Sequence, residues 1–338
     1  MASSSDNGDN RKRDVQDDSD VPSKPTNAGR SNFGSMEPFE RYRPIIDDFE
    51  AFLAACERPL GNAARINTIK GSVERTLEAL DEEGVAYEQA DWDPRVVRLE
   101  TDSPGSTWTS FHGLTHGQEE VSAVPPVVLD PQPGERVWDS CAAPGGKATQ
   151  LAALMDDRGT VVANDNNLGR ISALRFNAER LGATSLAVTN ADARTYSLKR
   201  FPFDEFDRAL VDAPCSCEGT IRKNPDALDN WNEGHIRSVS GIQKGILRRA
   251  VQATREGGTV VYSTCTFAPE ENEAVVQHAL DNEACRVVDF DLGLEHSPGL
   301  SEWDDETFDD SLERAARIYP HQNDTGGFFV AKLEVTAE

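Results

Sequence analysis

The chain has 338 residues, enough to bury the cores of two domains, and a formal net charge of −25. Its six scattered cysteines fit no disulfide framework, and neither a secretory leader nor an apolar run of membrane-spanning length is apparent. Composition therefore argues against a disulfide-stapled secreted domain and a membrane-spanning protein. We expect reduced thiols and a cytoplasmic location.

The acidity lies in the body of the chain, because residues 1–35 carry a net charge of only −1. Only 8 of the 34 basic residues are lysines. Such a composition is typical of proteins from extreme halophiles, the alternative being an acidic protein of an ordinary organism. At 1 M salt the Debye length is about 3 Å, so the repulsion between the acidic protein surface and RNA phosphates is largely screened. Acidity therefore does not exclude RNA, recognised by hydrogen bonds, stacking and shape.

In chain order, residues 1–35 have almost no apolar anchor, and we expect them to form a disordered tail. Residues 36–115 are predicted to form a small α+β domain. Its predicted elements are a helix within 39–60, a strand over 65–69, a helix over 72–80, and strands over 85–87 and 96–99.

From about residue 116 to residue 338, strands and helices alternate. The predicted strands cover 136–139, 160–163, 185–188, 208–211, 258–262 and 326–333. One predicted helix ends at residue 155, and three others cover 169–181, 234–254 and 270–280. This alternation predicts an α/β fold with a largely parallel sheet and helices on both faces. The acidic stretch 301–313 is expected to be an exposed loop or helix face.

Two cysteines directly follow predicted strands of this sheet. Cys215 lies in Asp212-Ala-Pro-Cys-Ser216, and Cys265 lies in Ser263-Thr-Cys-Thr266. Groups just past the carboxyl ends of neighbouring parallel strands face one crevice, where ligands bind. Two thiols there indicate covalent catalysis with a second proton-transfer step, whereas a single buried structural thiol would be unremarkable. The pair Cys215-Ser-Cys217 has no second CxxC, so no metal site is expected.

A glycine-containing loop, Asp139-Ser-Cys-Ala-Ala-Pro-Gly-Gly-Lys147, joins the first strand of the sheet to its helix. Asp165 ends the next strand, where a carboxylate can hold ribose hydroxyls, and Asp192 follows the third strand, within reach of an adenine amino group. Neither G-x-G-x-x-G nor a P-loop is present. The pattern favours a nucleoside cofactor, the alternative being a tight turn that caps the helix.

These segments closely resemble RNA (cytosine-5)-methyltransferases of the Sun family. Further stretches that look like the same family are Arg65-Ile-Asn-Thr68, Gly117-Gln-Glu-Glu-Val-Ser122, Pro269-Glu-Glu-Asn272, Pro320-His321 and Gly327-Phe-Phe-Val-Ala-Lys332. The resemblance implies S-adenosylmethionine as cofactor, a Rossmann-like seven-stranded class I methyltransferase sheet, and an RNA-recognition role for residues 36–115. Together with the acidity, it points to a haloarchaeal member.

The resemblance also implies residue roles. Cys265 would attack carbon 6 of cytosine, Cys215 would assist release, Asp212 would hold the N3 edge, and Lys147 would make the surroundings electropositive. The implied cofactor-binding residues are Cys141, Ala142, Ala143, Pro144, Gly145, Gly146, Lys147, Asp165, Arg170, Asp192 and Asp212. The implied RNA contacts are Arg222, Lys223, Asn224 and His321, although a solvated loop or a cap on the sheet edge would also account for them.

Family members usually carry glycine where this chain has Cys217, so the effect of a third thiol beside the catalytic loop is open. Two other functions remain as alternatives. A DNA cytosine-5 methyltransferase would use Cys215 as its nucleophile, and an RNA-binding ribosome-assembly factor would not need methylation. Among RNA substrates tRNA is favoured over rRNA, and we expect a monomer.

Overall fold

The computed structural model describes residues 36–229 and 231–337, so the predicted tail lies outside the described residues. The first part of the described chain contains one small sheet with strand order β2-β3-β1-β4, antiparallel throughout. Its elements in chain order are α1 (Phe49–Cys56), β1 (Asn62–Ile66), α2 (Val73–Glu83), β2 (Tyr87–Ala90), β3 (Asp93–Leu99), α3 (Trp108–Phe111) and β4 (Thr115–Gly117).

Helix α2 covers one face of this sheet. It begins after Ser72, whose hydroxyl accepts a hydrogen bond from the Arg75 amide, and ends at Gly84 with φ at +73°. Leu80 of α2 is fully buried in a cluster with Ala64 and Val97 of the sheet. The predicted helix is therefore present, and the strand predicted over 65–69 lies a few residues earlier, at 62–66.

The N-terminal segment packs away from the small sheet, on loops of the larger one. Here the predicted helix over 39–60 is divided into a 3-10 turn, Glu37–Tyr42, and α1, because Asp48 adopts a left-handed conformation and caps α1. The rings of Phe39 and Phe52 lie 5.6 and 5.2 Å from that of Phe267. This segment therefore supports the loop that follows Cys265.

The remaining elements build the larger sheet and its helices. In chain order they are α4 (Val124–Leu129), β5 (Arg136–Asp139), α5 (Gly146–Leu154), β6 (Thr160–Asn164), α6 (Leu168–Leu181), β7 (Leu186–Thr189), β8 (Phe206–Asp212), α7 (Glu233–Ala253), β9 (Thr254–Thr264), α8 (Glu273–Asn282), β10 (Cys285–Val287), β11 (Ser297–Pro298), β12 (Glu302–Trp303), β13 (Glu306–Thr307), β14 (Ala316–Ile318), α9 (Pro320–Asn323) and β15 (Phe328–Val335).

The larger sheet has the order β11-β14-β15-β9-β8-β5-β6-β7, and β10 pairs with the outer edge of β15 beside β14. Strands β7, β6, β5, β8 and β9 are parallel, and β15 runs antiparallel between β9 and β14. Seven strands from β7 to β14 thus form a Rossmann-like sheet with one reversed strand, and the predicted fold class is confirmed. Among the helices of residues 36–229 and 231–337, none has the length and apolar character that crossing a membrane requires.

Several elements were not predicted from the sequence, and α4 and β14 are two of them. Helix α4 contains Pro125 and Pro126, which lack amide donors and are tolerated here only because they lie in its first turn. Strand β14 has three residues, too few to show a periodicity. The acidic stretch 301–313 contributes the short hairpin β12–β13 and a 3-10 turn over Asp310–Arg314.

One buried ion pair fixes β14 to the start of α8. Arg317 and Glu273 are 2% and 0% exposed, with Nε of Arg317 2.7 Å from Oε1 of Glu273. Replacement of Glu273 by alanine should lower the free energy of unfolding by about 3–5 kcal/mol, because it leaves a buried guanidinium unpaired. Denaturant unfolding measures this loss. The exposed pair Arg237–Glu233 provides the control, since Glu233→Ala should cost under about 1 kcal/mol. Equal losses in the two variants would contradict the assignment.

Candidate active site

A cavity of about 420 Å³ opens at the carboxyl edge of the larger sheet. The ends of four adjacent strands, and the loops that follow them, supply its polar wall. Residues that line it are Ser140 and Cys141 after β5, Asn164 and Asp165 at the end of β6, Asp212 and Cys215 at the end of β8, and Cys265 after β9. The predicted crevice is therefore present, and it brings the two thiols and the carboxylates together.

The loop between β5 and α5 forms the floor of the cavity. Gly145 adopts φ at +106°, and a Cβ there would lie 2.8 Å from the Leu174 side chain, so only glycine fits. The peptide bond between Ala143 and Pro144 is cis. Helix α5 starts directly after Gly145, and its N-terminus carries a partial positive charge at this edge.

The predicted cofactor residues fall into two groups. Those that line the cavity are Cys141, Lys147, Asp165, Arg170, Asp192 and Asp212. Those that shape the loop without lining the cavity are Ala142, Ala143, Pro144, Gly145 and Gly146. The sequence prediction did not separate the residues that face the cavity from those that shape the loop behind them.

Asp165 and Asp192 lie on the wall formed by β6 and by the turn after β7. Asp165 accepts hydrogen bonds from the amides of Ala143, at 3.2 Å, and Asn167, at 2.8 Å, and it pairs with Arg170. These bonds hold its carboxylate at the cavity rim. Asp192 pairs with Arg194, and the pKa of Asp192 is lowered chiefly by that hydrogen-bonded partner. Both carboxylates are therefore fixed acceptors at the rim.

Lys147 and Asp212 form a partly buried ion pair in the cavity wall. The Lys147 Nζ lies 2.8 Å from Oδ2 of Asp212 and also donates to the Ser122 hydroxyl. Burial alone would lower the pKa of Lys147, but the Asp212 charge outweighs it and raises that pKa above its ordinary value. The Ser263 hydroxyl donates to the other oxygen of Asp212, at 3.0 Å. The pair thus places a fixed cation and a fixed carboxylate beside the thiols.

Asp139 is a buried acid that the sequence-based prediction of site residues omitted. It is 0% exposed, and its carboxyl makes no hydrogen bond to another side chain among the described residues. Burial, reinforced by the nearby Asp212 charge, raises the pKa of Asp139 to about 8. Asp139 is therefore protonated at neutral pH and adds no negative charge next to Asp212.

Three thiols meet at the end of the cavity. The Sγ atoms of Cys215 and Cys265 are 3.2 Å apart, and those of Cys215 and Cys217 are 3.8 Å apart. Hydrogen bonds with its two neighbours, and then burial, raise the pKa of Cys215 well above its ordinary value. Hydrogen bonds with Cys215 and Cys265 lower the pKa of Cys217. The protonation states of the three thiols therefore depend on one another.

The state of Cys265 depends on this cluster. The hydrogen bond from Cys215 lowers the pKa of Cys265, but the contact with Cys217 and burial outweigh it, so that pKa lies well above the ordinary value. Cys265 is therefore a thiol at neutral pH and must lose its proton before it can act as a nucleophile.

Buried acids after the two cysteine loops hold these loops in place. Glu218 is 0% exposed and accepts hydrogen bonds from the Thr266 hydroxyl, at 2.8 Å, and the Phe267 amide, at 3.1 Å. Glu271 accepts from the Ser216 amide at 3.0 Å, and burial raises the pKa of Glu271 to about 7. Sequence reasoning quoted Glu271 within a motif and gave Glu218 no role, because their partners are distant in sequence.

The predicted RNA contacts lie in three different environments. Lys223 is exposed and lines the cavity mouth, and Asn224 is exposed beside it. Arg222 is 4% exposed and donates to the carbonyls of Arg58, at 3.0 Å, and Thr325, at 2.9 Å. This burial corrects the expectation that Arg222 contacts RNA. Its guanidinium donates to carbonyls of two other loops, so it is not available to bind a phosphate.

His321 is outside the cavity lining. Its ring stacks on Tyr319, with the ring centroids 6.0 Å apart, and burial lowers the pKa of His321. The neutral ring therefore packs against the aromatic cluster under α1, an arrangement in keeping with the alternative of a structural cap.

The family model described as 16S rRNA methyltransferase RsmB/F matches residues 126–334. This chain belongs to the RsmB/F methyltransferase family. It is 37% identical to the tRNA (cytosine(49)-C(5))-methyltransferase of Pyrococcus abyssi, over 87% of this chain and 94% of that one.

Other relatives of this methyltransferase chain are longer. The ribosomal RNA small subunit methyltransferase F of Shewanella loihica is 35% identical over 84% of this chain but only 58% of its own length. A solved methyltransferase homolog from Pyrococcus horikoshii superposes with a TM-score of 0.79 at 33% identity, covering 89% of this chain and 96% of that one. NSun6 from Pyrococcus horikoshii, solved with SFG, shares the fold with a TM-score of 0.77 at 22% identity.

The raised pKa of Asp139 makes stability depend on pH. From about pH 4 to pH 8 the unfolded carboxyl loses its proton while the folded one retains it, so this contribution to stability falls as pH rises. Asp139→Asn removes the titration. The variant should therefore gain stability relative to wild type by up to about 1.4 kcal/mol per pH unit between pH 5 and 8.

Denaturant unfolding at fixed salt across that pH range measures the gain. Asp192→Asn is the matched control, because the pKa of Asp192 is lowered and its contribution is constant above pH 5. Parallel stability curves for wild type and Asp139→Asn would contradict a protonated Asp139.

Proposed function

We propose that this chain transfers a methyl group from S-adenosylmethionine to carbon 5 of cytosine in RNA, with tRNA as the favoured substrate. The observation that carries the proposal is the pair of thiols, Cys215 and Cys265, with Sγ atoms 3.2 Å apart beside the Lys147–Asp212 ion pair. A single thiol would serve nucleophilic attack, whereas a second at this distance serves the proton transfer that follows it.

The cavity residues fit such a cofactor. Asp165 provides acceptors for ribose hydroxyls, and Asp192 an acceptor for an adenine amino group. Ile242 and Ile246 of α7, which packs on the turn after β7, offer apolar surface to the adenine. When bound, the cofactor supplies an electrophilic methyl group on a sulfonium.

Carbon 5 of cytosine is a poor nucleophile until carbon 6 is attacked. The Cys265 thiolate, formed when the thiol loses its proton to solvent, adds to carbon 6 and pushes electron density onto carbon 5. Asp212 holds the N3 and amino edge of the ring, and its bonds from Lys147 and Ser263 keep the carboxylate in place. The unpaired or flipped cytosine enters from the side of Lys223.

Cys215 completes the cycle after methyl transfer. Its sulfur lies 3.2 Å from that of Cys265, so Cys215, once it has lost its own proton to solvent, can take the proton from carbon 5 of the adduct. The electrons of that carbon–hydrogen bond restore the carbon 5–carbon 6 double bond and expel the Cys265 thiolate. The expelled Cys265 thiolate then takes up a proton from solvent, which returns both thiols to their starting state with one net proton released.

The choice of substrate rests on length. The tRNA (cytosine(49)-C(5))-methyltransferase of Pyrococcus abyssi is matched over 94% of its length, whereas the ribosomal RNA methyltransferase F of Shewanella loihica is matched over only 58% of its own. We therefore favour tRNA, with rRNA as the alternative. In this proposal, residues 36–115 recognise RNA and residues 116–338 carry the catalytic domain, in a cytoplasmic monomer that works at high salt.

The reaction is tested by transfer of labelled methyl from S-adenosylmethionine to purified tRNA and rRNA at multimolar KCl, followed by bisulfite sequencing. Wild type should label tRNA cytosines, and Cys265→Ala should lose at least about 10³-fold of the rate, because no adduct forms. Cys215→Ala should accumulate a covalent RNA complex that survives denaturing gels. Cys285→Ala, which removes a thiol outside the cavity, is the matched control and should transfer methyl groups as fast as wild type.

Each alternative has its own outcome. An adduct with Cys265→Ala but not with Cys215→Ala would overturn the assigned roles and favour the DNA-type mechanism. Label confined to rRNA would move the substrate and keep the mechanism. RNA binding without transfer to either RNA would contradict the proposed function and favour an assembly factor.

A further inference from the structure

The third thiol of the cluster has no role in the reaction derived above. Cys217 adopts φ at +62°, in the left-handed region that a residue with a side chain seldom occupies. Its backbone is held there, because its carbonyl accepts hydrogen bonds from the amide and the hydroxyl of Thr220 at 2.9 and 2.8 Å. This conformation turns the Cys217 sulfur towards Cys215 and Cys265.

The three Sγ atoms all lie within 4.8 Å of one another. Two of the separations are 3.2 Å, for Cys215–Cys265, and 3.8 Å, for Cys215–Cys217. A tetrahedral Zn²⁺ centre has metal–sulfur bonds of about 2.3 Å, which places its sulfur ligands roughly 3.8 Å apart. Side-chain shifts at Cys215 and Cys265 that lengthen their 3.2 Å separation would bring the sulfurs towards that spacing.

The cluster is accessible and electrostatically suited to a cation. All three cysteines line the cavity, so an ion can reach them from solvent and a water molecule can fill the fourth position. Three thiolates and a divalent ion would leave one net negative charge, and the Lys147 ammonium lies in the same cavity wall. Thiolate sulfur selects soft, closed-shell ions over the K⁺ and Mg²⁺ of the cell.

We propose that Cys215, Cys217 and Cys265 form a binding site for one thiophilic divalent cation, Zn²⁺ or Cd²⁺, through their three sulfurs. Occupation of the site blocks catalysis, because both thiols that the proposed reaction needs become ligands. Binding itself does not depend on the proposed function, since it requires neither RNA nor S-adenosylmethionine.

Cadmium is the sharper probe, because thiolate-to-cadmium charge transfer gives an ultraviolet band that reports sulfur ligation directly. The full-length protein is reduced, desalted without oxygen and titrated with Cd²⁺ in concentrated sodium sulfate, since chloride would compete for the metal. Absorbance and titration calorimetry should both show one equivalent bound. Cys217→Ser should weaken binding at least about 10-fold, because it removes one of three thiolates.

Two further variants keep the test decisive. Cys217→Gly relieves the left-handed strain, so it should fold as well as wild type and still lose affinity. Cys285→Ser retains the cluster and should bind Cd²⁺ as wild type does. Methyl transfer by wild type should be inhibited by Cd²⁺ at least about 10-fold more strongly than that by Cys217→Gly.

The proposal is overturned if wild type shows no charge-transfer band, or if both Cys217 variants bind Cd²⁺ as tightly as wild type. Equal loss of affinity in Cys285→Ser and Cys217→Ser would also overturn it. A catalytically inactive protein that binds Cd²⁺ through Cys217 would contradict the proposed function while confirming the metal site.

Discussion

The active site depends on one buried carboxylate. Glu218, fully buried, accepts hydrogen bonds from Tyr42, Trp231, Thr266 and the Phe267 amide, so it joins the N-terminal segment to the loops that carry the catalytic cysteines. Burial raises the pKa of Glu218, while these donors oppose the rise. A carboxylate satisfied by several donors gives the loops a single geometry, because any rearrangement would leave a buried acceptor unpaired.

Backbone contacts complete this frame. The amide of Gly219 donates to the Cys265 carbonyl, and that of Gly327 donates to the Gly219 carbonyl, both at 2.9 Å. A Cβ on Gly219 would lie 2.3 Å from the Gly327 carbonyl oxygen, so this approach requires glycine. The short distance between the Cys215 and Cys265 sulfurs therefore follows from how closely the two loops are joined.

Much of this architecture could be predicted from the sequence, and the exceptions have physical causes. Strands alternating with helices determine a parallel sheet, and residues just past neighbouring strands meet at one edge, which is why Cys215, Cys265 and Asp212 were predicted to lie together. Arg222 looked like an RNA contact because charge alone does not show that its donors are used by the carbonyls of Arg58 and Thr325.

The same limit applies to groups gathered from distant parts of the chain. No metal site was expected from Cys215-Ser-Cys217, because no second CxxC accompanies it, and the third sulfur follows the next strand, 48 residues beyond Cys217. The protonated state of Asp139 likewise arises from burial beside Asp212, which the spacing of motifs does not reveal. The acidic composition gave no indication of the Lys147 cation within the site, since a net charge averages over the whole surface.

The central claim is that Cys265 is the nucleophile and Cys215 the group that removes the carbon 5 proton. The most direct measurement uses tRNA that contains 5-fluorocytosine, together with S-adenosylmethionine, followed by protease digestion and mass spectrometry of the RNA-linked peptide. Fluorine at carbon 5 leaves no proton to remove after methyl transfer, so the covalent complex should persist. The account predicts that the methylated base is attached to Cys265, and attachment to Cys215 would contradict it.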